Sequence, residues 1–114
     1  MRKEQSSNSI NEQYLFNACG LNLAISKISG RWKTQILLSI VRGHNRFNLL
    51  HKKIDNISEQ VLGRQLKALE KDNIITKAII PNSIPIGVEY KLTDLGIELL
   101  PILNALCDWG KHYR

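Results

Sequence analysis

Cysteine is nearly missing from this chain. Cys19 and Cys107, far apart in the 114 residues, match neither a zinc-ligand nor a CxxC spacing and leave no disulfide framework. Glycine (7) and proline (3) are too few for a low-complexity or collagen-like chain. Long apolar runs are missing as well. None exceeds three residues, as in Ile36-Leu37-Leu38, broken by Ser39 before Ile40-Val41, whereas crossing a bilayer takes about 20 apolar residues. Arg2 and Lys3 lead into Glu4-Gln5-Ser6-Ser7-Asn8-Ser9 with no apolar stretch behind them, so no secretion signal is expected. The chain reads as cytoplasmic, with both thiols reduced and no membrane partner. No P-loop, GxGxxG or GxSxG occurs, and His44, His51 and His112 are scattered without a second ligand at metal-binding spacing. Neither catalytic residues, nor a metal, nor a cofactor is expected, and an enzyme is not.

What remains is an ordinary globular composition, 43% hydrophobic and 23% charged, on a length suited to one domain. Acid is the scarcer charge, with 10 Asp and Glu against 16 Lys and Arg, a net of +6. The excess is local. From Lys27 to Lys77 there are eleven basic and four acidic residues, while the rest of the chain is slightly acidic. A polyanion partner is one reading of that segment, and the solvated surface of a basic protein is the other.

Residues 1–13 are polar and aperiodic, a flexible arm ahead of a domain over 14–114 that opens on the apolar patch Tyr14, Leu15 and Phe16. Leu21, Ala24, Ile25 and Ile28 recur at helical spacing up to Ser29-Gly30. A second helix, Trp32 to Arg42, is stopped by Gly43. A third, Phe47 to Lys53, buries Phe47, Leu50 and Ile54. Ser58 is an N-cap for a fourth, Glu59 to Asp72, with a stripe of Leu62, Leu66 and Leu69, and Asn73 closes it. The period then changes to that of a hairpin, with strands 74–80 and 88–92 around the turn-rich tip Pro81 to Gly87. Thr93-Asp94 opens a last helix to Tyr113, which Pro101 is expected to kink or divide.

A short helix, a turn, a capped helix and a hairpin thus lie in succession within the basic segment. A helix of about four turns fits the major groove of B-DNA, and a hairpin beside it reaches the backbone or the minor groove. Opposite its leucines, the helix 59–72 carries Gln60, Gly63, Arg64, Lys67 and Lys71. Gln and Arg are side chains that read base edges. Lys67 and Lys71, with Arg46, Lys52 and Lys53, suit phosphates, which position without reading sequence. Gly63 costs a helix roughly 1 kcal/mol against Ala. Close approach to a base or phosphate is one use for it, and simple tolerance is the other.

Several segments resemble the HxlR-type winged helix-turn-helix regulators: Ser29-Gly30-Arg31-Trp32-Lys33, Arg46-Phe47-Asn48-Leu49-Leu50, Ile57-Ser58 with the leucine stripe and Leu69-Glu70-Lys71-Asp72-Asn73, Val88-Glu89-Tyr90-Lys91-Leu92-Thr93 with Gly96, and Leu100-Pro101 with Trp109-Gly110. The resemblance runs from Cys19 to Gly110. It implies an α+β fold, a winged helix-turn-helix with a two-stranded hairpin wing and terminal dimerisation helices, in a bacterial homodimer that binds operator DNA. By position it gives Ser58, Gln60, Gly63, Arg64 and Lys67 as contacts of the recognition helix.

For the dimer interface it points to the last helix, where Leu99, Ile102, Leu103, Leu106 and Trp109 form an apolar face wider than one partner needs. Cys19 matches a cysteine with which some members sense oxidants or electrophiles, so a redox-sensor role and an oxidant or small-molecule effector are implied; a buried small side chain is the other reading. Cys107, beside the interface stripe, reads as packed. The chain departs from the family pattern at Gly20, where proline is frequent, at Asn73, where glycine is usual, and at Ile86-Gly87, where the wing often carries a basic residue. The alternative function is a winged-helix protein–protein interaction module meeting a partner through the apolar tip residues Ile84 and Ile86.

Overall fold

The computed structural model describes residues 20–84 and 87–114. The expected arm, the patch at Tyr14–Phe16, Cys19, and Pro85 and Ile86 of the tip lie outside them. Among the described residues, five α-helices and one hairpin follow one another: α1 Gly20–Ile28, α2 Lys33–Val41, α3 Phe47–Lys53, α4 Glu59–Lys71, β1 Ile75–Ile80, β2 Gly87–Leu92 and α5 Asp94–Gly110, with a 3-10 turn over Lys111–Tyr113. The strands are antiparallel, pairing Ile75 with Leu92, Lys77 with Tyr90 and Ile79 with Val88.

The core gathers one face of each of α2 to α5 and the base of the hairpin. Ile36 and Leu37 from α2, Leu50 from α3, Leu62, Leu66 and Leu69 from α4 and Ile75 from β1 are sealed from solvent, and Tyr90 and Leu103 close the far side. Burying a Leu or Ile side chain stabilises by about 1.5–3 kcal/mol, which makes these few residues the main support of the fold. Ile54 and Ile57, on either side of the turn residue Asn56 (φ 68°), are buried too. They peg the α3–α4 turn to the core and so fix the entry of α4.

Helix ends follow local rules. Beyond α2, the Gly43 N–H donates to the Ile40 carbonyl (3.0 Å) and the His44 N–H to that of Ser39 (2.9 Å), with Gly43 at φ 98°. Beyond α4, the Asn73 N–H donates to Glu70 (3.0 Å) and the Ile74 N–H to Leu69 (3.0 Å), with Asn73 at φ 59°. Asparagine there does what glycine does after α2.

Two expectations change, for the last helix and for Phe47. Pro101 does not divide the last helix, which is continuous to Gly110 and ends in the 3-10 turn rather than running helically to Tyr113. Pro101 and Ile97 are both exposed, and the helix runs on without the hydrogen bond that a proline nitrogen cannot donate. In α1 no residue is buried; Leu21 is 63%, Leu23 43% and Ile25 48% exposed, and Ile28 alone packs on the core. Phe47 is half-buried rather than buried.

Candidate nucleic-acid interface

Ser58, in extended backbone, accepts at Oγ from the Val61 N–H (3.1 Å), which starts α4 as expected and leaves its hydroxyl proton to donate outward. Glu59 in the first turn and Lys71 in the last complement the helix dipole. With 13 residues, α4 is about 20 Å long. Its leucine ridge is inside, and Gln60, Arg64, Lys67 and Lys71 are exposed on the opposite side. Gly63 lies among them, half-buried, with nothing within 4 Å of where a Cβ would stand. The core therefore does not demand a glycine at this position.

Arg46 is the exposed residue before α3, and Lys52 and Lys53 are exposed in its last turn. Among the described residues, the ion pairs are Lys27–Asp72 (3.2 Å) and Lys111–Asp108 (3.6 Å). The cations of α3 and α4 are thus not neutralised by a neighbouring carboxylate there. They present an unquenched positive surface around the exposed face of α4, an arrangement suited to the regularly spaced phosphates of a duplex.

The hairpin is held at its base. Its Tyr90 N–H donates to the Asn45 carbonyl (2.8 Å), tying β2 to the segment that enters α3. Burial of the Tyr90 ring, together with the charge of Glu70 on α4, holds its hydroxyl pKa above the ordinary tyrosine value. Beyond that base the wing exposes aliphatic side chains among polar ones, with Ile79 71%, Val88 37% and Ile84 98% accessible. Ile79 and Val88 were missed in the sequence, because strand alternation assigns them to the same face as the buried Ile75 and Tyr90.

On the other side of the molecule, α5 divides its expected interface stripe. Leu103 is 5% exposed and belongs to the chain's own core, and Leu99 packs half-buried against that core. Leu103 is therefore removed from the outward stripe. Ile102, Leu106 and Trp109 remain exposed, joined by Leu95. Leu95, Leu99, Ile102, Leu106 and Trp109 alternate spacings of four and three, the heptad pattern of a helix that packs along a second helix. Leu23, Ala24 and Ile28 of α1 face Leu95, Leu99 and Ile102 across an apolar cleft of about 390 Å³. Cys107 is exposed, not packed within the chain. Among the described residues, no group of three His, Cys, Asp or Glu side chains is placed to hold a metal ion, and no helix is long and apolar enough to cross a membrane.

The HxlR-like helix-turn-helix family matches residues 27–114. An HTH-type transcriptional regulator of Methanothermobacter thermautotrophicus is 37% identical over 102 residues, covering 90% of this chain and 75% of its own. A transcriptional regulator described as of the MarR family, from Enterococcus faecalis V583, superposes with a TM-score of 0.73 at 35% identity, over 82% of this chain and 84% of its own. The oxidised form of the redox regulator HypR superposes with a TM-score of 0.75 at 31% identity, over 84% and 98%.

Proposed function

Since the chain belongs to the HxlR-like helix-turn-helix family of transcriptional regulators, we propose that it acts as a homodimer on operator DNA, with α4 seated in the major groove. The observation that carries this reading is the exposed, unneutralised face of α4, backed by a sealed leucine ridge and flanked by the cations of α3. Gln60 and Arg64 read base edges, Gln suited to adenine and Arg to guanine. Ser58, Lys67, Lys71, Arg46, Lys52 and Lys53 hold phosphates, and Gly63 lets the duplex approach. The outward stripe of α5, with the unburied α1, forms the seam between protomers; its apolar extent supports this assignment.

Fluorescence anisotropy tests the reading, with duplexes from the DNA flanking the coding sequence against random duplex. Selective binding that weakens steeply with salt is expected. Arg64→Ala should cost on the order of 1–3 kcal/mol and relax one base position, while Lys52→Ala weakens all sequences alike. Equal binding to both pools, or an Arg64→Ala protein with unchanged preference, contradicts it. Association with a protein partner that is insensitive to salt, without DNA binding, would instead select the interaction module.

Redox or electrophile responsiveness through Cys19 belongs to the same proposal. It is supported by the family resemblance and by the likeness to HypR, a redox regulator. A Cys19→Ser protein that keeps its oxidant response in the same assay removes it.

A further inference from the structure

The wing ends in an aliphatic point. Ile79 and Val88 stand directly opposite each other on the hairpin face that carries Ile75 and Tyr90 into the core; the exposed Lys77 stands between Ile75 and Ile79 on that face, which therefore continues outward as an aliphatic pair beside one cation. At the tip, Ile84 is 98% exposed. The turn leading to it is closely folded. Asn82 has φ 64°, and a Cβ at Gly87 would stand 3.0 Å from Ile80 Cδ1 and 3.2 Å from Ser83 Oγ. A recess of about 390 Å³ separates Ile84, Ser83 and Val88 from Arg46, Phe47 and Asn48 at the start of α3. The apolar tip therefore shares one concavity with an exposed cation of the positive surface, and the wing's own Lys77 and Lys91 are exposed as well.

That continuity of charge names the occupant. The polyanion that Arg46 engages passes beside Ile84, and an element standing next to a helix in the major groove meets the adjoining minor groove. Resting on the DNA-binding reading above, we infer that Ile84, supported by Ile79 and Val88, is a minor-groove wedge. It enters a base step, partly unstacks it and bends the duplex toward the major groove, as apolar side chains of architectural proteins do. Burial of the isoleucine between bases offsets the unstacking, and the bend brings more backbone onto the α3 cations. Flexible pyrimidine–purine steps deform most easily. Ile84 thus contributes sequence preference without a hydrogen bond to any base.

The test uses the full chain and the duplex that it enriches from a random-sequence pool. The bend is read by end-to-end energy transfer and the affinity by anisotropy. The expected wild-type bend lies within about 20–90°. Ile84→Ala should straighten the duplex and bind several-fold more weakly where the contacted step is TA, and lose nothing where that step is replaced by a stiff A-tract. Ile84→Arg should keep the affinity without the bend, since a cation suits a narrow minor groove. Because Ile84 is almost wholly exposed, both variants should melt with the wild type. A straight wild-type complex on an enriched duplex, or an Ile84→Ala complex with wild-type bend and affinity, overturns the wedge and leaves the DNA reading standing. A pool from which nothing is enriched overturns both.

Discussion

Gly63 is a residue whose two uses give opposite signs in two measurements. Nothing within 4 Å would meet a methyl group there, so Gly63→Ala should raise stability to unfolding by about 1 kcal/mol through helix propensity alone. If the backbone of α4 approaches the duplex at this point, the same substitution should weaken operator binding. A protein both more stable and equally tight would leave Gly63 merely tolerated. Tyr90 makes a second residue-scale prediction. Its hydroxyl pKa is raised, first by burial and then by Glu70, so the folded state favours the neutral phenol. That contribution is complete below the ordinary tyrosine pKa of about 10. It is lost as pH rises through the raised folded value, since the unfolded chain ionises first. Urea midpoints should accordingly fall above pH about 10 in the wild type, and the fall should be smaller in Tyr90→Phe; equal slopes would show that another group dominates.

The element scale turns on the joint between α4 and α5. Thr93 Oγ1 accepts from the Gly96 N–H (3.1 Å) to cap α5 and donates to the Asn73 carbonyl (2.6 Å), with the Ile74 carbonyl at 3.1 Å. The Thr93 N–H also donates to Ile74 (3.0 Å). Gly96 sits so close that a Cβ would run into the Ile74 carbonyl oxygen and meet the Leu92 side chain at 3.2 Å. Gly96→Ala should therefore destabilise by about 1–3 kcal/mol, as overpacking does, visible as a lower Tm; an unchanged Tm would mean that the joint yields. Local chemistry made part of this legible. The Ser58 and Thr93 caps, the leucine stripe and the left-handed Asn73 each follow from a few neighbouring residues, and each element end but the last helix's C-terminus falls within a residue or two of its expected place. The reach of Thr93 back to Asn73 did not follow, since a cap signal says nothing about what lies on the hydroxyl's other side.

At the scale of the whole molecule, hydrophobic periodicity showed which faces are apolar but not which of them this chain covers by itself. Leu103 and Ile102 are neighbours on one broad face of α5, yet the first is in the core and the second is half in solvent. The α1 stripe is left uncovered within the described chain. If a second copy supplies that cover, Leu106→Glu should leave the winged-helix core folded, since Leu106 is 50% exposed, while sedimentation shows a monomer and operator affinity falls. A dimer that survives the charge places the seam elsewhere. The short joint at Thr93 matters most here. In the dimer proposed above, it would set the angle between the helix assigned to DNA and the helix assigned to the partner, with no linker to absorb error. Two such chains clasped through α5, as proposed, would form a caliper of fixed jaw width, measuring the distance between half-sites as well as their letters. A duplex with its half-sites moved by a fraction of a helical turn offers its second groove to a jaw that cannot reopen to meet it.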